Sequence, residues 1–190
     1  MKTHQLAAAA TVFVLAGCAG SPQGGPGMGM QRGMIMGDGP MATARLEPTR
    51  GHSAAGIAMF HQRGDMVMLH VRLEGLKPNQ EHGFHIHDKG DCSSGDGLSA
   101  GGHFNPGAKP HGRHDAVERH AGDLPSLKAD GSGRVDVHLQ LTGVSIGSGA
   151  ADIVGRGLIV HADPDDFKTQ PTGNSGARIA CGVIQSGRPG

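Results

Sequence analysis

No stretch of this chain sustains the 3.6-residue apolar period of an amphipathic helix, whereas short runs with strand-like character recur along it. They read TARLEP, GIAMFHQ, MVMLHVRLEGL and HGFHIH, and later GRVDVHLQL, GLIVHAD and RIACGVI, the later ones bounded by Gly, Pro, Asn or Asp. Composition presses the same way, because 34 glycines and 11 prolines in 190 residues break helices and supply the dihedrals that turns need. The chain is therefore expected to be all-β and mostly antiparallel, as a sandwich or barrel. Its length admits one domain with a real core plus appendages. With 17 basic and 17 acidic side chains the formal net charge is zero, which argues against nucleic-acid binding through a broad basic surface.

The first residues, MKTHQLAAAATVFVLAGCAG, carry a lysine, an apolar run over residues 6–16 and then small residues. That is the layout of a secretory signal, and the run is too short to span a bilayer. LAGC at residues 15–18 resembles a bacterial lipobox, so residues 1–17 are expected to be a lipoprotein signal peptide. Cys18 would then be acylated and anchor the chain to a membrane of a bacterial cell envelope, periplasmic or at the surface. Ala19 after it is compatible with the outer membrane. With Cys18 lipidated, Cys92 and Cys181 remain, and two leftover thiols in an oxidising envelope are most simply a disulfide. Residues 18–41 show Gly, Pro and Met in place of any structural period and read as a flexible tether ahead of a domain at 42–190. Met28, Met30, Met34, Met36 and Met41 in that segment invite a second reading besides a bland linker. Thioethers are soft ligands that favour Cu(I), so the tether would help capture copper.

Two regions do not read as strands, residues 89–122 and 162–176, and loops of that length need a function or something to hold them. HGFHIH puts three histidines into six positions. Side chains alternate along a strand, so His85 and His87 share a face while Phe84 and Ile86 point into the core. Two imidazoles so placed chelate one ion or form a solvated histidine face. The first long loop contains GGHFNP, HG and ERHAGD, which bring His103, His111, His120 and Asp123 into one unsupported segment. Three imidazoles and a carboxylate suit a closed tetrahedral zinc site, which would organise a loop that burial cannot.

Through HGFHIH, GDC, GGHFNP, HG, ERHAGDL, GLIVHADPDD and GNSGARIACGVI, in that order and at matching spacing, the chain from about residue 42 onward resembles copper/zinc superoxide dismutases. The resemblance implies an eight-stranded antiparallel Greek-key β-barrel or sandwich with a long metal-binding loop and a shorter active-site loop. It implies one copper and one zinc per subunit, copper on His85, His87, His103 and His161, and zinc on His103, His111, His120 and Asp123. His103 would bridge the two as an imidazolate. Asp165 matches a carboxylate that links a copper histidine to a zinc histidine, and Arg178 matches an arginine beside the copper that draws in and orients a small anion. Cys92 and Cys181 match the family's intrasubunit disulfide, and His82 matches a structural histidine. The implied activity is dismutation of superoxide to dioxygen and hydrogen peroxide by a cycling copper, with His103 storing a proton, in protection of the envelope from external superoxide.

Some bacterial members carry a lysine-bearing insertion where this chain has only CSSGDGLSAG, so Lys168, with Lys109, is the expected source of steering charge. His52, His61, His70, His114 and His138 are expected at the surface, and His4 leaves with the signal. The expected partners are superoxide and, through Cys18, a membrane. Monomer and homodimer both stay open. A copper and zinc buffer or delivery protein on the same scaffold fits the methionine tether equally well, but the complete ligand set together with Arg178 favours an enzyme. A metal-free adhesive sandwich leaves the crowding of His103, His111, His120 and Asp123 unexplained.

Overall fold

The computed structural model describes residues 39–188, so the readings made on the signal, Cys18 and the tether up to residue 38 lie outside the described residues. Strands β1 (Met41–Pro48), β2 (Ala55–Arg63) and β3 (Met66–Glu74) form an antiparallel meander. β2 and β3 join through the two-residue loop Gly64-Asp65, where Gly64 takes the positive φ of 60° that such tight hairpin loops need. β1 opens at Met41, which pairs with His61, so this methionine stands in the sheet and not in the segment before it.

From β3 the chain crosses to the far edge of the sheet. It forms the short β4 (Glu81–His82) and then β5 (Phe84–His87), passes through the first long loop and β6 (Leu127–Lys128), and returns as β7 (Val135–Leu141) against β3. It then crosses again to β8 (Gly157–His161) beside β5, and closes with β9 (Arg178–Val183) between β8 and β1 and with β10 (Gln185–Ser186) on β1. The main sheet has eight strands in the order β5-β8-β9-β1-β2-β3-β7 with β10 off that path, and these repeated crossings are Greek-key connectivity. β4 and β6 form a separate two-stranded patch, and one short 3-10 turn, Leu98–Ala100, is the only helical element among the described residues.

The inner face explains the pattern. Ala42, Ala44 and Leu46 of β1, Ala58 and Phe60 of β2, and Val67, Leu69, Val71 and Leu73 of β3 alternate inward into one core. Phe60, Phe84 and Phe104 fill its volume, each contributing roughly 2–3 kcal/mol by leaving water. Phe84 and Ile86 belong to that core, which fixes β5 and turns His85 and His87 to its other side.

Candidate metal centre

β5 has β8 on one edge, and the first long loop covers the other. The Phe104 N–H donates to the Ile86 carbonyl at 2.8 Å and the Ile86 N–H to the Gly122 carbonyl at 2.9 Å, while His87 and His103, and His85 and Asp123, sit opposite one another as isolated bridges. The backbone thereby lays two distant loop segments beside the histidine strand. A Cβ on Gly122 would come within 2.2 Å of the Ile86 carbonyl oxygen, so only glycine permits that approach.

His85, His87, His103 and His161 converge, one ligand atom of each within 4.8 Å of the others. Nδ1 of His85 and Nε2 of His87, His103 and His161 are buried without a hydrogen-bond partner. An unpaired buried polar group costs about 1–3 kcal/mol, so four at one point make sense as donors to an ion. The second nitrogen of each ring is held. His85 Nε2 donates to Asp165 Oδ2 at 2.7 Å, His87 Nδ1 to the Gly101 carbonyl at 2.9 Å and His161 Nδ1 to the Gly176 carbonyl at 3.3 Å, while His103 Nδ1 faces Asp123 Oδ1 at 2.9 Å. These contacts fix ring orientation and tautomer. Burial drives the His87 and His161 imidazoles well below their ordinary pKa and lowers that of His85, and it takes His103 down to about 4, so all four metal-free imidazoles are neutral at physiological pH, the form that can accept an ion.

A second cluster adjoins the first through His103 and adds His111, His120 and Asp123. Asp123 Oδ1 lies 2.9 Å from Nδ1 of both His103 and His111 and 3.3 Å from Nδ1 of His120, and the last lies 3.4 Å from His103 Nδ1. Three imidazole nitrogens on one oxygen are poor hydrogen bonding but good coordination geometry. Ligands about 2.0–2.1 Å from a central zinc stand about 3.3–3.4 Å apart along the edges of a tetrahedron. The other oxygen, Oδ2, accepts from the backbone N–H of Gly112 and of His120 at 3.0 and 2.9 Å, leaving Oδ1 to the nitrogens. Burial by itself would raise the Asp123 carboxyl, but hydrogen bonds from His103, His111 and His120 hold it far below the carboxylate range. Burial lowers His111, yet the hydrogen bonds and charges of Asp123 and Asp165 outweigh it and raise the metal-free imidazole to about 9.

Asp165 ties the clusters together, since Oδ2 accepts from His85 and Oδ1 from His111 Nε2 at 2.9 Å, with its side chain 1% exposed. Gly173 passes so close that a Cβ there would meet Asp165 Oδ1 at 1.9 Å, and its φ of 70° also favours glycine. Asp165→Ala is expected to lower zinc and copper affinity by roughly 10–100-fold with the sheet intact, because outer partners orient the ligands. Competition against a chromophoric chelator measures it, and unchanged affinity contradicts this role.

Arg178 stands directly across the β8–β9 ladder from His161, at a register shift between Val160 and His161. Such a bulge re-aims side chains, here an imidazole and a guanidinium together. The guanidinium donates to the carbonyls of Gly97 and Gly101 at 2.6 Å each, and the Gly101 oxygen also accepts from His87, so one carbonyl positions both. Cys92 and Cys181 are joined in a disulfide that pins this loop to β9. Closing its 89-residue loop is worth about 4–5 kcal/mol in the chain-entropy model.

Sequence reasoning missed Gln170, whose amide accepts from the His111 N–H at 2.8 Å and donates to the His111 carbonyl at 2.9 Å, clamping one loop to the other. A single loop glutamine carries no spacing signal. The expectation that His61 and His114 lie at the surface is corrected. His114 is half-buried and its Nδ1 donates to the Asp123 carbonyl at 2.8 Å, and the His61 Nε2 is buried. His52 is exposed, while His70 and His138 stack across strands at 4.0 Å. His82 is buried and holds the His161 carbonyl at 2.8 Å. Lys168 is exposed, whereas Lys109 donates to the Val117 carbonyl at 2.9 Å and pairs with Glu118 at 3.5 Å.

An all-β domain that gathers four imidazoles beside a cluster of three imidazoles and a carboxylate, with one histidine in both, defines a protein built for two adjacent transition-metal ions. The family model for copper/zinc superoxide dismutase (SODC) matches residues 54–184. Superoxide dismutase (Cu-Zn) 2 of Aquifex aeolicus is 39% identical over 148 residues, covering 76% of this chain and 86% of that one. The superoxide dismutase-like protein YojM of Bacillus subtilis is 38% identical over 144 residues, 74% of each chain. The extracellular superoxide dismutase (Cu-Zn) of Drosophila melanogaster is 44% identical over 127 residues, 64% of this chain and 68% of that one. The chain belongs to the copper/zinc superoxide dismutase family. It is a superoxide dismutase, and its cofactors are copper and zinc.

Proposed function

We propose that this enzyme removes superoxide at a bacterial cell envelope, with copper on His85, His87, His103 and His161 and zinc on His103, His111, His120 and Asp123. The observation that carries the assignment is the set of four buried, unpartnered ring nitrogens on His85, His87, His103 and His161. Bound copper supplies the one-electron chemistry and bound zinc a fixed positive charge. The residues supply the rest. Arg178, with a rigid fork of donors, attracts and orients the small anion. His103 carries the proton: its Nδ1 is committed to the Asp123 cluster, so a proton on Nε2 has the anion beside Arg178 as its destination. Two superoxide anions and two protons thereby become one dioxygen and one hydrogen peroxide. Withdrawing copper with a selective chelator should abolish turnover, and added copper should restore it. Restoration by zinc alone contradicts the assignment.

Steering gives a further expectation. Lys168→Ala should lower kcat/KM by about twofold at low ionic strength and flatten its salt dependence, and Arg178→Ala should lower it roughly tenfold or more. An unchanged low-salt rate in the lysine variant contradicts its part in steering.

In the same proposal residues 1–17 are a lipoprotein signal, Cys18 carries the lipid, the tether ends before Met41, which opens the enzyme domain, and the chain is anchored in the outer membrane. The support is the lipobox-like LAGC and the apolar run before it. Radiolabelled palmitate should enter the wild-type chain and not Cys18→Ser, and equal labelling contradicts the anchor.

A further inference from the structure

All four methionines among the described residues lie outside the core, and all four lie on the outer face of one meander: Met41 on β1, Met59 on β2, and Met66 and Met68 on β3. Methionine is ordinarily among the more buried residue types, so this collection on one outward face calls for a reason. Strand register sets thioethers against imidazoles. Met41 stands opposite His61, and His61 opposite Met68, in one row across three strands. Side chains directly opposed across a ladder have Cβ atoms about 4.5–5.5 Å apart, so the His61 ring is flanked on both sides by sulfur-bearing side chains.

The His61 Nε2 is itself buried without a hydrogen-bond partner. A thioether is at best a weak acceptor and donates nothing, so its neighbours in the row offer that nitrogen no good hydrogen bond. The adjacent row runs Thr43, Met59, His70 and His138. There the His70 Nε2 is held by Asp136 at 2.7 Å and its ring stacks on His138, which separates those histidines from the first row.

We propose that Met41, His61 and Met68 form a third metal site, which takes Cu(I). Two thioethers and one imidazole are a soft donor set that suits monovalent copper, whereas zinc sites are built from thiolate, imidazole and carboxylate. Strands β1, β2 and β3 contribute none of the residues in the two clusters of the metal centre, so this site is separate from the catalytic one. It places a store of reduced copper on the sheet of an enzyme that needs copper.

The test uses the copper- and zinc-loaded protein carrying 13C-methyl methionine, titrated with Ag(I) as a redox-inert stand-in for Cu(I) and then with Cu(I) against a competing chelator. The wild type is expected to bind one Ag(I) that the Met41→Leu/Met68→Leu variant does not, with the Met41 and Met68 methyl resonances shifting together. Leucine keeps the side-chain volume, so dismutase activity should be unchanged and serves as the control on folding. His61→Leu, which removes the nitrogen and leaves both thioethers, should weaken that ion at least tenfold. A variant with leucine at Met28, Met30, Met34 and Met36 should retain it. Equal binding by the Met41→Leu/Met68→Leu variant, or loss of the ion only when Met28, Met30, Met34 and Met36 are replaced, overturns the proposal.

Discussion

His161→Ala is expected to abolish superoxide turnover while leaving zinc bound. The substitution removes one of four converging nitrogens and nothing from the cluster of His111, His120 and Asp123. Losing an outer partner of a metal ligand typically costs 10–100-fold in affinity or activity, so losing a ligand should cost roughly a hundredfold or more. The His161 carbonyl keeps its hydrogen bond from His82, and only the 3.3 Å bond from the ring to the Gly176 carbonyl is lost with the imidazole. Metal analysis beside a dismutation assay checks it. Loss of copper and activity with zinc near one per chain is the expected outcome, and wild-type activity contradicts the assignment.

Asp123→Ala should have the largest effect on stability. Its Oδ1 faces three imidazoles, its Oδ2 takes two backbone N–H groups, and its carbonyl holds His114. Removing one partner from a buried charged network costs about 3–5 kcal/mol, and here the carboxylate proposed to hold zinc goes with it. For a chain of this size that is a fall in Tm on the order of 10 °C, with loss of zinc, read by calorimetry and metal analysis. Chelating the wild type should move its Tm toward that of the variant. In the chelated protein the His111 pKa, raised to about 9, contributes stability that is present below the unfolded value of 6.5 and lost as pH rises through 9. A chelated wild type whose stability is flat across that window, or a variant that keeps both zinc and its Tm, contradicts the role given to Asp123.

The strands were legible because each longer run alternates against one core, so its period survives in sequence. β4, β6 and β10 have two residues each, too few to show any period. For the metal centre, HGFHIH and the crowded loop advertise ligand types at short range. What no local pattern carries is long-range registration: the bulge that sets Arg178 opposite His161, the Gly101 carbonyl shared by Arg178 and His87, and the Gln170 clamp on His111. His114 looked like a surface residue because its partner is a backbone carbonyl nine positions away, which leaves no trace in side-chain spacing. The row of Met41, His61 and Met68 escaped for the same reason, since three strands must pair before those side chains meet.

The most direct measurement is anomalous diffraction at the copper and zinc edges from crystals of the metal-loaded enzyme. A copper peak is expected among His85 Nδ1 and the Nε2 atoms of His87, His103 and His161. A separate zinc peak is expected about 2.0–2.1 Å from the Nδ1 atoms of His103, His111 and His120, with Asp123 Oδ1 as its fourth ligand. Copper bound away from those four nitrogens, or a single metal with His103 on one side only, would contradict the assignment.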